Sequence, residues 1–122
     1  MILVCVGAIL SQEKVKARVH ENHLRTKAIS SFMPRFPKAA KKARSSGVAV
    51  AQIIVNEFGQ VIDVQILEAP HPAIGDAVKE ALYRWRFTPF SVKGQALKVR
   101  GKMTFYFVND KRGTRVENPY PW

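Results

Sequence analysis

The sequence predicts an α+β fold in which a three-stranded antiparallel sheet, made of a β-hairpin, a helix and a third strand, is backed by one main helix plus a short N-terminal helix. Two β-branched-rich runs, 48–56 and 61–68, flank a short connection that contains Gly59, as in a hairpin. Apolar residues recur every three or four positions over residues 74–85, as on one face of a helix. A final run at 97–108 shows the clearest alternation of apolar and polar residues in the chain, as in a half-buried strand.

The short N-terminal helix is predicted over residues 37–45. Pro37 suits the first turn of a helix because its fixed φ is helical and its missing N–H is not needed there. Three alanines and several lysines follow it and favour helix, and Gly47 is a natural stop. We expect about two turns.

The last predicted strand separates its residues cleanly between two faces. One face carries the apolar residues Leu97, Val99, Met103, Phe105 and Phe107, and the other carries Lys98, Arg100, Lys102, Thr104 and Tyr106. Such alternation predicts one buried face and one basic, solvated face. Gly101 interrupts the apolar face and marks either a bulge or a close approach of another segment.

The ends of the chain differ in composition from the middle. Residues 1–10 are almost wholly apolar but too short to span a membrane, so we expect the remnant of an export signal or membrane anchor that begins upstream. A buried strand or helix and an authentic short signal are the alternatives. Residues 12–31 are polar and read as a helix or a tether. The predicted division is therefore 1–31, an ordered domain at 32–108, and a flexible or surface-packed tail at 109–122.

Composition limits the function classes. The chain has 122 residues, enough for one domain, and 20 Lys and Arg against nine Asp and Glu give a formal net charge of +11. Anionic surfaces will therefore attract it, although the basic residues are spread over three segments. A single cysteine, Cys5, excludes an intramolecular disulfide and a multi-cysteine metal site.

The polar residues do not form a recognisable catalytic set. Asp63 and Glu68 are five apart on one predicted strand and point to opposite faces, so they do not make a carboxylate pair. His20 and His23 are three apart but have no third ligand in view, and His71 suits a surface or capping role. We therefore expect no enzyme activity, no metal and no cofactor.

Several short motifs in a fixed order resemble one known family. They are Pro34-Arg35-Phe36-Pro37 with Ala40 and Gly47, the turn at Gly59, His71-Pro72 before the main helix, and Tyr83-Arg84-Trp85-Arg86-Phe87-Thr88-Pro89 at its end. Together, over residues 34–108, they resemble the C-terminal domain of TonB-family energy transducers. Trp85 and Phe87 are expected in the core, because Trp85 falls on the apolar stripe of the helix.

The resemblance implies a periplasmic, protein-binding domain whose last strand lies at a sheet edge. That edge would add an extended segment of an outer-membrane TonB-dependent receptor as a further strand, through main-chain hydrogen bonds. The implied peptide-binding residues are Lys98, Val99, Arg100, Gly101, Lys102, Met103, Thr104, Phe105 and Tyr106. An inner-membrane motor complex is a further partner if an anchor exists upstream. The charges on this strand either discourage indiscriminate strand pairing or attract an acidic partner.

Two other functions are open. The basic charge permits binding to an anionic surface, either nucleic acid or envelope lipid, although the aromatic and glycine signature of common RNA-binding sheets is lacking, so nucleic acid is not an expected partner. A free strand edge also permits a strand-swapped structural homodimer.

Overall fold

The computed structural model describes residues 15–118, and the apolar residues 1–10 lie outside this range. None of the helices within residues 15–118 is long and apolar enough to cross a membrane. The described elements are, in order, β1 (Val15–Val19), α1 (Glu21–Thr26), β2 (Ala28–Ser30), α2 (Lys38–Lys42), β3 (Gly47–Val55), β4 (Val61–Glu68), α3 (Pro72–Tyr83), β5 (Arg86–Phe87), β6 (Phe90–Val92), β7 (Gln95–Asp110) and β8 (Gly113–Glu117).

The predicted hairpin is confirmed as the antiparallel pair β3 and β4. Its turn is held by the Asn56 side chain, whose Oδ1 accepts hydrogen bonds from the backbone N–H groups of Phe58 at 3.0 Å and Gln60 at 2.9 Å. Gly59 adopts a φ of 83°, and a Cβ there would overlap the carbonyl oxygen of Phe87. Only glycine therefore fits this turn.

The main helix is confirmed as α3, which packs on β4 and β3. His71 is its N-cap, since the His71 Nδ1 accepts a hydrogen bond from the Ala73 N–H at 3.0 Å. Ile74, Val78 and Leu82 lie on the buried stripe and are wholly inaccessible to solvent. The short helix is α2, within the predicted range of 37–45 but shorter.

An aromatic cluster fills the space between α3 and the sheet. Trp85 and Phe87 are buried and stack at a centroid distance of 5.9 Å, and Phe105 meets the Trp85 ring edge to face at 6.3 Å. The Trp85 Nε1 donates a hydrogen bond to the carbonyl oxygen of Phe32 at 3.0 Å. The predicted core role of Trp85 and Phe87 is thus confirmed.

The α+β class is confirmed, but the prediction of a three-stranded sheet is wrong. The main sheet has six strands, in the order β1-β7-β3-β4, with β6 and β8 also paired to β7. β7 has 16 residues and β3 has nine, so the ends of β7 extend past β3 and pair with β6 and β8. The third extra strand, β1, pairs with the side of β7 opposite β3. The parallel pair of β1 and β7 also makes the sheet mixed rather than antiparallel.

The polar segments at the two ends of the domain supply two of the three extra strands, β1 and β8. Residues 15–30, expected to form a helix or a tether, instead form β1, the short helix α1 and β2. In the described part of the tail, β8 pairs with β7 from Tyr106 to Asp110. Leu24 of α1 is wholly buried in the same core as α3, so the described residues 15–30 pack into the domain. The predicted boundaries at 32 and 108 otherwise stay a prediction.

An ion pair fixes the turn between β7 and β8. Two Arg115 guanidinium nitrogens donate to the two Asp110 carboxylate oxygens at 3.2 and 3.1 Å, and the Arg112 N–H donates to Asp110 at 2.9 Å. The hydrogen bonds from Arg115, then the one from Arg112, lower the pKa of Asp110. Because the folded pKa is depressed, this contribution to stability is present above the ordinary pKa and is lost as the pH falls through the folded value.

We expect Arg115→Gln to raise the pKa of Asp110 toward its ordinary value, because the principal hydrogen-bond donor to that carboxylate is removed. An NMR titration of the Asp110 carboxyl carbon measures this directly. Lys111→Gln is the matched control, since no contact of Lys111 with Asp110 contributes to the shift. An Asp110 titration that is the same in both variants would show that Arg115 does not hold this turn.

Candidate functional site on the last long strand

All nine predicted peptide-binding residues lie in one strand, β7. Their alternation is as predicted: Val99, Met103 and Phe105 are buried, whereas Lys102 and Tyr106 are exposed. On one side β7 pairs with β3 over residues 99–107. The backbone N–H and C=O groups on its opposite side, which we call the outer row, are the groups that strand addition requires.

The first part of the outer row is paired with β1. This strand lies parallel to β7, with Arg18 opposite Arg100 and Val19 opposite Gly101. The pairing covers residues 98–101, about half of the predicted site. Ala17 and Val19 point toward the core and pack against it.

At Thr104 two side chains of α1 make the backbone hydrogen bonds that a neighbouring strand would otherwise make. The Glu21 carboxylate accepts hydrogen bonds from the Thr104 N–H and, at 2.8 Å, from the Thr104 hydroxyl. The Arg25 guanidinium donates to the Thr104 carbonyl oxygen and pairs with Glu21 at 2.9 Å. The Glu21/Arg25 pair therefore satisfies both backbone groups of Thr104 without a strand.

The pair is well shielded from water. The side chains of Glu21 and Arg25 are 11% and 2% exposed. The Arg25 guanidinium carbon lies 5.1 Å from the centre of the Phe105 ring and 6.0 Å from that of Trp85. A charge this far from water is stabilised only by close partners, and the carboxylate, the carbonyl and the aromatic faces supply them.

The expectation that β7 is an edge strand is therefore wrong. Among the described residues, β1 covers 98–101, the Glu21/Arg25 pair covers Thr104, and β8 covers the row from Tyr106 onward. The physical reason is that both polar end segments fold back onto the exposed row, which would otherwise leave its N–H and C=O groups unpaired. Whether residues 98–106 bind a partner segment stays a prediction.

Gly101 is a point of close approach between β7 and the N-terminal segment. A Cβ built there would lie 2.7 Å from the Leu24 Cδ2 and 3.1 Å from the Val19 carbonyl oxygen. The pairing of β3 with β7 passes through Gly101 in regular register. Of the two roles that the sequence left open, a bulge and a close approach, the structure shows the close approach.

We expect Gly101→Ala to lower the free energy of unfolding by about 1–3 kcal/mol, because the added methyl group overpacks the contact with α1. Hydrogen exchange should become faster at the amides of β1 and α1 before the rest of the domain. Gly75→Ala is the matched control: its Cβ would meet Ile66 at an ordinary 3.4 Å, and alanine favours the helix. Equal exchange of β1 and α1 in both variants would contradict the assignment.

Sequence reasoning missed Glu21 and Arg25. Their spacing of four residues is that of an ion pair on one helix face, and Leu24 beside them is one of the few apolar positions of the segment. These two signals could have identified a short helix. They could not have shown that it sits on Thr104, 83 residues away from Glu21.

The other candidate side chains are dispersed. His71 caps α3, while His23 lies against the ring of Phe90 at a centroid distance of 6.1 Å. Within residues 15–118, no three His, Cys, Asp or Glu side chains are placed to hold one metal ion. The arrangement on β7 is thus one of backbone hydrogen bonding and charge.

Comparisons with known proteins agree with the sequence motifs. Residues 33–108 match the family model described as the Gram-negative bacterial TonB protein C-terminal. Among solved structures, the chain is similar to the solution NMR structure of the TonB C-terminal domain of Pseudomonas aeruginosa, with 27% sequence identity and a TM-score of 0.57. That similarity covers 70% of this chain and 88% of the other. A search of curated proteins found no match.

Proposed function

The chain belongs to the TonB C-terminal family of periplasmic, non-enzymatic domains of energy transducers that act in transport, and on that premise we propose that it docks an extended segment of an outer-membrane receptor by strand addition. The docking site is the outer row of β7 within residues 98–106. The partner strand takes the place of β1, and the Glu21/Arg25 pair can remain on Thr104. The primary contact is therefore with residues 98–101.

One observation supports this most strongly. The outer row at 98–101 pairs with a five-residue strand, β1, that lies outside the family-matched residues 33–108. The row thus accepts a short added strand in parallel orientation. A partner segment would offer the same main-chain donors and acceptors as β1, so replacement conserves the backbone hydrogen bonds and is decided by side chains and effective concentration.

The strand that covers the other end of the outer row also lies outside the family-matched residues. β8 follows residue 108, just as β1 and α1 precede residue 33. Of the two strands, β1 is the easier to release, because it can leave β7 without detaching the adjoining helix. Leu24 and Arg25 of α1 are buried and keep the N-terminal segment attached. β8 in contrast is joined to β7 by a tight turn with an ion pair.

The experiment is an NMR titration of the whole chain with synthetic receptor-type extended peptides. We expect amide shifts at 98–101 and at 15–19 together, since binding and the departure of β1 are one event. The matched control is the same peptide with prolines at alternate positions, which cannot form the backbone ladder. Shifts confined to β4 at 61–68, or no shifts at all, would overturn the site.

Exchange of β1 between two copies would use the same row and give a strand-swapped homodimer. The two outcomes differ in their dependence on concentration. Sedimentation of the chain alone over a range of concentrations detects the dimer, whereas docking of a receptor segment needs none. A dimer that persists on dilution and excludes the peptide would replace the docking proposal.

A further inference from the structure

A second feature of the same region is a cavity of about 410 Å³ on the sheet, lined by residues 18–21, by Gln52 of β3 and by residues 100–102 of β7. Three cationic side chains line it: Arg18 of β1, and Arg100 and Lys102 of β7. Arg100 and Lys102 are two residues apart on one strand and therefore share a face. The cavity thus has a basic wall made by two adjacent strands.

The two arginines are placed against each other. Arg18 and Arg100 are direct partners in the parallel register of β1 and β7. Like charges in directly opposite positions destabilise a sheet. Their repulsion needs an anion between them, or solvent around them, to offset it.

Nothing in residues 15–118 supplies that anion. The salt bridges of this part of the chain involve Arg25 and Arg115 and leave out Arg18, Arg100 and Lys102. The carboxylate that also lines the cavity, Glu21, is taken up by Arg25 and Thr104. The Nε of Arg100 is shielded from solvent and has no hydrogen-bond acceptor among residues 15–118. An ordinary solvated basic face would not hide a guanidinium N–H in this way.

We propose that this cavity binds a phosphate group. The planar guanidinium fork matches the oxygens of phosphate, and the Arg100 Nε would gain the acceptor that it lacks. Three positive charges suit a group that carries up to two negative ones. The volume is larger than a free phosphate ion needs, and it suits a phosphate ester carried on a larger molecule.

Phosphate binding affects the docking of a receptor segment. This part of the inference rests on the proposed function. Arg18 belongs to the strand that leaves, and Arg100 belongs to the strand that stays. A phosphate held between them favours the state in which β1 covers β7. By thermodynamic linkage, phosphate and a receptor segment must weaken each other's binding by the same factor.

The test of the site is an NMR titration of the whole chain with inorganic phosphate, compared with sodium chloride at equal ionic strength. We expect saturable shifts at the Arg100 Nε–H and at the amides of Arg18 and Gly101. Arg100→Gln should weaken the affinity about tenfold or more, because it removes hydrogen bonds to a charged group. Lys102→Gln should also weaken the phosphate affinity, and it carries little risk to folding because Lys102 is exposed. Lys79→Gln on α3 is the matched control and should leave the phosphate affinity unchanged.

Two further arms identify the source of the phosphate and test the linkage. Binding to phosphatidylglycerol vesicles that is weakened by Arg100→Gln, and not by Lys79→Gln, indicates a lipid phosphate; binding of inorganic phosphate without such vesicle binding indicates a soluble ester. Equal shifts in chloride, shifts spread over all basic residues, or tighter binding of a glutamate-rich peptide at this cavity would overturn the proposal. A phosphate site that does not weaken receptor-peptide binding would overturn the linkage alone.

Discussion

Replacing Glu21 with alanine should lower the free energy of unfolding by about 3–5 kcal/mol, the usual cost of removing one partner of a buried ion pair. The Arg25 side chain is only 2% exposed, and the change removes the carboxylate that pairs with its guanidinium at 2.9 Å. The same change removes the acceptor of the Thr104 N–H, which then lies in the sheet without its principal partner. For a domain whose total stability is about 5–15 kcal/mol, this is a large fraction.

Urea denaturation followed by circular dichroism measures this loss. Glu117→Ala is the matched control, because the Glu117 carboxylate is 3.8 Å from Arg115 in an exposed pair and should contribute little to stability. Glu21→Gln keeps an acceptor oxygen in the same shape and should lose less than alanine does. If Glu21→Ala costs no more than Glu117→Ala, the Glu21/Arg25 pair is not what attaches α1 to β7.

Trp85→Ala should cost a similar amount, about 3–5 kcal/mol, because it leaves a large cavity in the centre of the core. The Trp85 side chain is wholly buried, stacks on Phe87 and meets Phe105 edge to face. It also joins two distant segments, since its Nε1 donates to the carbonyl oxygen of Phe32. The loss therefore combines hydrophobic burial, ring contacts and one hydrogen bond.

Thermal and urea unfolding of a graded series separates these contributions. Trp85→Phe keeps an aromatic ring but loses the hydrogen bond to Phe32, so it should lie between the native chain and Trp85→Ala. Tyr83→Ala, two residues earlier and 38% exposed, is the control and should cost much less. A Trp85→Ala protein as stable as Tyr83→Ala would be incompatible with this description of the core.

The elements predicted correctly are those in which apolar residues recur at regular spacing. Ile74, Val78 and Leu82 recur at four-residue spacing and define α3, and the alternation around Met103 and Phe105 defines β7. Asn56 and Gly59 give the hairpin turn because each meets a specific backbone requirement. In these segments local pattern and tertiary packing agree.

The strands β1 and β8 could not be predicted in the same way. Each has five residues and few inward apolar side chains: Ala17 and Val19 in β1, and Val116 in β8. Their pairing depends on the outer row of β7, and backbone groups look the same in every sequence. Hence the sequence predicts that β7 is a strand, but it does not predict that β7 lies inside the sheet.

The central claim, that a partner strand replaces β1 on β7, has a direct test in a reversible crosslink. Neighbouring strands lie about 4.8 Å apart, within the span of a disulfide, so Arg18→Cys with Arg100→Cys in a Cys5→Ser background can lock β1 in place. Val108→Cys with Arg115→Cys, which locks β8 instead, is the matched control.

Receptor-peptide affinity is then measured for each protein in its oxidised and reduced forms. We predict that the oxidised Arg18→Cys/Arg100→Cys protein does not bind, that reduction restores binding, and that the β8 lock has no effect in either form. Equal peptide affinity of the oxidised and reduced β1-locked protein would contradict the replacement of β1 and place the partner on another strand.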